Sequence, residues 1–284
     1  MKIVLAEHSG FCWGVKRVIL LAEKLISDQS KSVYSLGNII HNSAVISKLQ
    51  NDGLKIIDEA AIKNLPKNST VLVRAHGITK NIINDLKISD LIIEDGTCPH
   101  VIKIQNEISK SYDKGYTLVI LGDRGHAEII SLMSFCNNEG YVINSVEEVS
   151  KIPQNKKLFI VCQSTFSQKL FDDIVAEFQK LNYDITIKNT RCDATEKRQN
   201  ATMELAKISD AMIVIGDKKS ANTNRLFNLC KEINQNSFMI ETVSQLDFDL
   251  IMKFETIGVS AGASTPDWLI EELLKTINIR AIKN

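Results

Sequence analysis

The 284-residue sequence lacks long apolar runs, an excess of either charge and closely spaced cysteine pairs. No stretch approaches the roughly 18 apolar residues of a membrane-spanning helix. Glu7 and His8 interrupt the short apolar opening before it could serve as a secretion signal. The charges of the 34 basic and 34 acidic residues cancel. This balance argues against binding to nucleic acid or to an anionic membrane through the electrostatic field of the whole protein. We therefore expect a soluble cytoplasmic protein with no nucleic-acid or membrane partner.

The cysteines are the first informative residues. There are six, and none forms a CxxC pair, so the usual spacing of a zinc ribbon or a thioredoxin-like site is absent. In a reducing cytosol, structural disulfides are not expected. Cys136, Cys162 and Cys230 stand among apolar residues and are predicted to be core. Cys12, Cys98 and Cys192 each follow a β-branched run and precede a helical stretch.

The three contexts form an internal repeat. The cysteines are 86 and 94 residues apart, and a strand ending in glycine follows 24 or 25 residues after each of them, at Gly37, Gly122 and Gly216. A polar residue stands four positions further on, and later strands recur at similar offsets. Alternating strands and helices indicate parallel βαβ construction. The predicted fold is α/β, with three pseudo-equivalent units at 1–97, 98–191 and 192–284 in a trefoil-like arrangement.

Equivalent positions suggest a shared site. Ligands of open α/β sheets bind beyond the carboxyl ends of the strands. If the three units surround a pseudo-threefold axis with those ends inward, Cys12, Cys98 and Cys192 converge on one metal site. Each thiol also lies at a predicted helix start, where the helix dipole favours the thiolate. Zinc in such a site would require a fourth protein ligand, whereas an iron–sulfur cluster would leave one iron open.

Polar residues at the same strand ends indicate the ligand class. Hydroxyl, amide and imidazole groups there can all donate hydrogen bonds to phosphate oxygens, so a diphosphate suits the ring that they form. Glu128 is the one carboxylate in this ring and is predicted to transfer protons if buried, although a surface helix position is the alternative. The donors are His41, His76, His126, Ser164, Thr165, Ser220, Asn222 and Ser264.

The motifs GFCWGVKRV, RAHG, DGTCP, HAE, CDATEKRQ and SAGASTPD together resemble the 4-hydroxy-3-methylbut-2-enyl diphosphate reductase family, from Cys12 to Asp267. The resemblance implies a [4Fe-4S] cluster on the three cysteines and a small allylic diphosphate substrate. It also implies reductive dehydroxylation to isopentenyl and dimethylallyl diphosphates, with ferredoxin or flavodoxin as electron donor. Glu128 matches the family's proton-transfer acid, and Ser164 keeps the hydroxyl of a usual threonine.

The sequence departs from the family pattern at Ala127, Ala221 and Asp193, where proline, serine and tyrosine are common. The change at Ala221 removes a hydroxyl, so a backbone N–H or a neighbouring side chain must replace it in phosphate binding. Two other functions stay open on the residues alone. One is a non-redox dehydratase that uses the open iron as a Lewis acid. The other is a structural-zinc protein that binds phosphate ligands.

Overall fold

The computed structural model describes residues 1–28 and 32–283, and of residue 283 only the backbone. Three parallel sheets of four strands organise this part of the chain. The strands are β1 (Lys2–Leu5), β2 (Val33–Leu36), β3 (Lys55–Ile57), β4 (Thr70–Val73), β5 (Ile92–Asp95), β6 (Thr117–Leu121), β7 (Tyr141–Ile143), β8 (Leu158–Cys162), β9 (Ile185–Ile187), β10 (Ala211–Ile215), β11 (Ser237–Ile240) and β12 (Thr256–Ala261).

The three sheets share one topology. Their orders are β3-β2-β4-β5, β7-β6-β8-β9 and β11-β10-β12-β1. In each, the second strand of the repeat lies at one edge, followed by the first, the third and the fourth. β1 takes the fourth place in the last sheet by pairing with β12, from Lys2 opposite Thr256 to Leu5 opposite Val259. The predicted α/β class with three pseudo-equivalent sheets is confirmed.

Helices connect the parallel strands. They are α1 (Trp13–Ser27), α2 (Ser43–Asn51), α3 (Lys80–Lys87), α4 (Pro99–Asp113), α5 (Ala127–Ser134), α6 (Gln168–Lys180), α7 (Asp193–Ile208), α8 (Ala221–Ile233), α9 (Phe248–Ile251) and α10 (Asp267–Lys283). Short 3-10 helices follow β3, β7 and β11, at Glu59–Asn64, Val146–Lys151 and Val243–Gln245. None of the described helices combines the length and the apolar composition needed to cross a bilayer.

Local sequence explains these helices. α4 buries Val101, Ile104 and Ile108, a spacing of three and four residues that places them on one face. Pro99 opens α4, where its missing N–H costs no hydrogen bond. Ser167 begins α6 by accepting the Leu170 N–H. Capping residues and Pro99 thus begin these helices a few residues after the strands end.

The core lies on both faces of the sheets. The strands LFIVC of β8 and AMIVI of β10 are buried at every position, as expected for parallel strands covered on both sides by helices. On β8, Leu158 and Ile160 pack into one apolar cluster, and Phe159 and Val161 pack into another. The alternation of side chains along a strand therefore supplies both layers of the core.

Contacts divide the chain into two compact units. Unit 1 comprises Met1–Lys16, His41–Ser47 and Asp193–Asn284, and unit 2 comprises Arg17–Ile40 and Lys48–Cys192. Unit 1 contains the sheet of β1, β10, β11 and β12, and unit 2 contains the other two sheets. The three consecutive units 1–97, 98–191 and 192–284 remain a prediction. Among the described strands, pairing differs from those boundaries only at β1. The strands β5 and β9 each complete the sheet of the repeat in which they lie, whereas β1, in the first repeat, completes the sheet of β10, β11 and β12 in the last.

Candidate active site

The three cysteines singled out in the sequence occupy equivalent backbone positions. Each lies directly before a helix, at the start of α1, α4 or α7. The N–H of each donates to the carbonyl of the second residue after the neighbouring strand: Cys12 to Ala263 at 3.0 Å, Cys98 to Ala75 at 3.0 Å and Cys192 to Ser164 at 2.9 Å. The repeat thus extends to single hydrogen bonds at the strand ends.

Burial separates these cysteines from the other three. Cys12, Cys98 and Cys192 are partly exposed. Burial raises the pKa of the Cys162 thiol to about 11 and that of the Cys230 thiol to about 12. It also raises the pKa of the Cys136 thiol. The three buried thiols therefore stay protonated at neutral pH, which makes them inert core residues, as the sequence predicts.

The surroundings of the three partly exposed cysteines suit a metal group that is bound through sulfur. The Val15 N–H points at Cys12 Sγ, at 3.4 Å, from the first turn of α1. N–H groups and the positive end of a helix stabilise a thiolate, the form in which cysteine binds metal. Cys98 likewise precedes Pro99 at the start of α4, and its side chain makes no capping hydrogen bond. Thiolates are the ligands of iron–sulfur clusters, so the chemistry of each of these cysteines fits such a group.

A buried arginine fixes the loop before Cys12 in unit 1. Gly10 has a φ of 90°, a backbone conformation that favours glycine, and a Cβ there would lie 3.0 Å from Asp267 Oδ1. The Gly10 carbonyl accepts a hydrogen bond of 2.8 Å from Arg198 Nη2. Arg198 is buried. This role of Arg198 is not predictable from the sequence, because nothing in the pattern links residues 188 positions apart.

The predicted phosphate-binding residues of unit 1 lie at the ends of β10 and β12 and at the start of α2. Ser220 caps α8 by accepting the Thr223 N–H at 3.4 Å. Asn222, only 4% exposed, has no hydrogen-bond partner for either amide atom among the described residues. The Ser264 hydroxyl donates to the His41 carbonyl at 2.8 Å. Buried polar atoms without partners are costly and point to a polar ligand.

Asp217 holds the His41 segment in place, a role that the sequence analysis missed. Its Oδ2 accepts hydrogen bonds from the N–H and the hydroxyl of Ser43, at 2.9 and 2.7 Å, and Oδ1 accepts from the Lys219 N–H at 2.7 Å. Burial alone would raise the pKa of the Asp217 carboxyl, but the hydrogen bonds from Ser43 and Lys219 and the charge of His41 together lower it. Asp217 therefore stays ionised beside His41.

The lowered pKa of Asp217 predicts a pH-dependent contribution to stability. A carboxyl with a lower pKa in the folded than in the unfolded state stabilises the fold above its unfolded pKa, and that contribution is lost as pH falls through the folded pKa. We expect Asp217→Asn to cost about 2 kcal/mol of unfolding free energy at pH 7, the scale of hydrogen bonds to a charged group. The difference from wild type should shrink as the pH falls through the lowered pKa of the folded carboxyl.

Urea unfolding of both proteins between pH 7 and pH 2.5 measures this difference. Asp90→Asn is the matched control, because Asp90 makes an exposed ion pair with Lys67 and should matter by less than about 0.5 kcal/mol. A cost of Asp217→Asn that stays constant down to pH 2.5 would contradict the electrostatic explanation.

Glu128 is the acid of the candidate site in unit 2. It lies in the first turn of α5 and is 2% exposed, so the surface alternative is wrong. Its Oε1 accepts from the Ser164 N–H and its Oε2 from the Ser164 hydroxyl, both at 2.7 Å. Two hydrogen bonds from one residue fix the carboxyl plane relative to the end of β8. Glu128 and Ser164 thus form one unit, positioned by α5 and by the loop after β8.

Two histidines of unit 2 lie together at the start of α5. His126 caps α5, with Nδ1 accepting the Glu128 N–H at 3.1 Å. Because Nδ1 accepts, the neutral ring carries its hydrogen on Nε2, which is thereby a donor. His76 and His126 pack edge to face with ring centroids 5.2 Å apart. The structure therefore brings two of the predicted histidines together, and one of them contacts the backbone of Glu128.

Polar atoms without partners mark the same region of unit 2. Thr165 Oγ1 and Gln163 Nε2 are buried and have no hydrogen-bond partner among the described residues. Gln163, which is fully buried, also accepts from the Asp123 N–H through its Oε1 at 3.2 Å. Thr165 follows Ser164, so the loop after β8 presents two hydroxyls. The sequence predicted both hydroxyls but not Gln163.

The predicted site residues are distributed over both units. Unit 1 holds Cys12, His41, Ser220, Asn222 and Ser264. Unit 2 holds Cys98, Cys192, His76, His126, Glu128, Ser164 and Thr165. All of them lie at strand ends or helix starts.

The fold and these residues define a class of α/β protein. Its members repeat one four-stranded parallel sheet three times and place a cysteine before a helix in each repeat. Residues 3–278 match the family described as LytB protein. The chain belongs to this family.

Named relatives support the assignment. A protein of Thermoanaerobacter sp. (strain X514) is 41% identical over 278 residues, which cover 98% of this chain and 96% of that protein. A protein of Clostridium perfringens (strain 13 / Type A) is 37% identical, over 97% of this chain and 98% of that protein. Both are named 4-hydroxy-3-methylbut-2-enyl diphosphate reductase.

Two solved structures are similar over nearly the whole chain. One is a structure of (E)-4-hydroxy-3-methyl-but-2-enyl diphosphate reductase, described as the terminal enzyme of the non-mevalonate pathway. It is 35% identical with a TM-score of 0.72, over 98% of this chain and all of that one. The other is the E-1-hydroxy-2-methyl-but-2-enyl-4-diphosphate reductase from Plasmodium falciparum, 28% identical with a TM-score of 0.90, over 97% of this chain and 87% of that one.

Proposed function

We propose that this chain catalyses the reductive removal of the hydroxyl group of 4-hydroxy-3-methylbut-2-enyl diphosphate. Two electrons and two protons are consumed, the hydroxyl leaves as water, and the allylic carbon skeleton is released as isopentenyl or dimethylallyl diphosphate. The family match over residues 3–278 carries the proposal, because the relatives that share 37–41% of their residues with this chain bear the name of that enzyme.

The proposed cofactor is a [4Fe-4S] cluster held by Cys12, Cys98 and Cys192. The equivalent hydrogen bonds of the three cysteine N–H groups and the partial exposure of the three thiols support this ligand set. When bound, the cluster supplies the electrons for the reaction. The electrons come from a protein donor of the ferredoxin or flavodoxin type.

The diphosphate is bound by donors from the strand-end loops. Asn222 supplies an amide N–H₂ that has no partner among the described residues. Ser220 uses an oxygen lone pair to cap α8, so its hydroxyl hydrogen can be donated to a phosphate oxygen. His126 offers its Nε2 hydrogen, since Nδ1 is engaged as an acceptor. These neutral donors, joined by His41, His76, Thr165 and Ser264, bind a diphosphate without the long, flexible side chains of lysine or arginine.

Asn222 provides a direct test of diphosphate binding. Because its amide is buried without a partner, Asn222→Ala should leave stability unchanged or raise it. Diphosphate binding should weaken by about 10-fold, the scale of one lost hydrogen bond to a charged group. Isothermal titration with inorganic diphosphate and urea unfolding measure the two effects.

Asn234→Ala is the matched control for Asn222→Ala. Asn234 ends α8 at its other terminus, and its amide donates to the Ser209 carbonyl at 2.6 Å. This variant should therefore lose stability and keep normal diphosphate binding. Equal binding by Asn222→Ala and wild type would remove Asn222 from the pocket.

Glu128 delivers the proton to the departing oxygen. Ser164 orients the carboxyl through two hydrogen bonds, and burial keeps bulk water from competing for the proton. The Ser164 hydroxyl can reverse its hydrogen bond when the carboxyl is protonated, which lets Glu128 hold a proton without losing its position. Ser164 is thus both a substrate-binding and a catalytic residue in this proposal.

An anaerobic assay of the cluster-loaded protein tests the function. The allylic diphosphate and a reduced viologen are mixed with it, and viologen oxidation and product are measured together. We expect two electrons consumed per product molecule and a mixture of the two five-carbon diphosphates. Turnover without viologen oxidation would instead indicate a dehydratase. Zinc in place of iron in the purified protein, with no broad visible absorption, would indicate a structural-zinc protein.

A further inference from the structure

A hydrogen bond links the segments that carry two of the cysteines in unit 2. His100 Nε2 lies 2.7 Å from the Thr190 carbonyl oxygen, across 90 positions of sequence. His100 is the second residue after Cys98, and Thr190 is the second before Cys192. A carbonyl oxygen only accepts hydrogen bonds, so His100 must donate from Nε2.

The His100 end of this bond is rigid. His100 lies in the first turn of α4, directly after Pro99, whose ring restricts the backbone. The Cys98 N–H donates to the Ala75 carbonyl at 3.0 Å, and the Ile102 N–H donates to the Cys98 carbonyl at 3.0 Å. The side chain of His100 therefore projects from a helix start whose position is set by two backbone hydrogen bonds.

The Thr190 end is held by side chains instead of regular structure. Residues 188–192, between β9 and α7, form neither helix nor strand. The Thr190 hydroxyl donates to the Cys162 carbonyl at 2.6 Å and accepts from the Cys162 N–H at 2.8 Å. Arg191 Nε donates to the Phe166 carbonyl at 2.9 Å. The irregular segment thus depends on individual contacts to keep one shape.

We propose that His100 is a positioning residue that sets the spacing between the Cys98 and Cys192 segments. The proposal rests on the proposed function, in which both cysteines bind one rigid cluster. Thiolates that ligate such a cluster must match its fixed dimensions. The Cys192 segment has no regular structure, and the His100 hydrogen bond joins it directly to the helix start that carries Cys98. A second contact between α4 and this segment, the ion pair of Glu107 and Lys188, lies further along the helix. Contacts of this kind tune how tightly a metal group is held.

Two substitutions distinguish the effect of the His100 hydrogen bond from that of the His100 ring. His100→Phe keeps a ring but removes the hydrogen bond, whereas His100→Gln keeps an N–H donor at nearly the position of Nε2. We expect His100→Phe to release iron to a chelator about 10-fold faster than wild type, as other outer contacts of metal ligands do. His100→Gln should stay within about 3-fold of wild type, because the hydrogen bond is retained. The readout is anaerobic iron release from the cluster-loaded protein, together with the electron paramagnetic resonance spectrum after one-electron reduction.

Tyr183→Phe is the matched control. Tyr183 precedes β9, and its one hydroxyl hydrogen is shared between the carbonyls of Val149 and Ile152, so the substitution also removes buried hydrogen bonding of unit 2. It lies at the end of β9 opposite to Cys192. It should lower the unfolding temperature and leave iron release and the spectrum of the reduced cluster unchanged.

The outcomes are distinct. Faster iron release or a changed spectrum in His100→Phe, with recovery in His100→Gln, supports the positioning role. A His100→Phe protein that never takes up iron, with normal uptake by His100→Gln, supports it as well. Unchanged release in His100→Phe, equal acceleration in His100→Gln, or equal acceleration in Tyr183→Phe overturns it. Cys98→Ala tests the underlying ligand assignment separately, since normal iron content in that variant would remove the proposed function's cluster site and not only the role of His100.

Discussion

Glu128→Gln should reduce turnover by about 100-fold or more, the usual contribution of a positioned general acid. The substitution keeps the size of the side chain, and its amide can accept from the Ser164 N–H and donate to the Ser164 hydroxyl, so the local structure survives. Only the transferable proton is lost. Inorganic diphosphate should bind nearly as well as to wild type, because its proposed contacts come from other side chains. Steady-state kinetics with a reduced viologen and titration with diphosphate measure the two effects.

Glu148→Gln is a suitable control for this prediction. Glu148 is a second carboxylate of unit 2 and accepts from the Asn144 N–H and from Arg124, at 2.9 and 2.6 Å. Glu148 belongs to the 3-10 helix after β7, and its partner Arg124 lies in the loop between β6 and α5 that also carries His126. The control therefore removes a charged contact of that loop without changing Glu128. The control should keep normal turnover. Turnover of Glu128→Gln within about 2-fold of wild type would remove the proton-transfer role, while leaving the cysteine assignment intact.

The repeat made most of the fold predictable from one sequence. Strand ends are marked by glycines at matching offsets, such as Gly122 and Gly216, and the N–H of each of these donates to the strand that follows, at Ile143 or Ile240. Each repeat contains such a glycine because the same turn must form after the equivalent strand in all three. The helix starts at the cysteines were predictable for the same reason, with Pro99 as an additional signal at α4.

Pairing between distant segments was not predictable in this way. The pairing of β1 with β12 cannot be predicted from local sequence, because a parallel edge strand has the same hydrophobic pattern whichever sheet it joins. The bonds made by Asp217, Arg198 and His100 span 174, 188 and 90 residues respectively. Each of these residues lies near a motif, but a single sequence cannot distinguish a charged residue that fixes a loop from one that is solvated. The burial of Glu128 likewise became evident only from the packing of α5.

Substitution of single cysteines by alanine should divide the six into two groups, one that loses the bound iron and one that keeps it. Cys12→Ala, Cys98→Ala and Cys192→Ala should each lose the cluster, so that iron falls from roughly four per chain, the content of one cluster, to a small fraction of that. A cluster with two protein thiolates left is exposed to solvent and to chelators. Iron and sulfide analysis after anaerobic reconstitution, with visible absorption, measures the loss.

Cys136→Ala, Cys162→Ala and Cys230→Ala should keep the full iron content, because burial holds the pKa of each of these thiols above its ordinary value and places it among apolar side chains. Their cost should appear in stability, at about 1 kcal/mol for the small cavity left by a sulfur atom. Urea unfolding of the cluster-free chains separates that cost from cluster loss. A folded Cys162→Ala protein without iron would contradict this prediction, because it would make Cys162 of β8 a cluster ligand. The repeat argues against that role, since the equivalent positions in β4 and β12 are Val73 and Ala261.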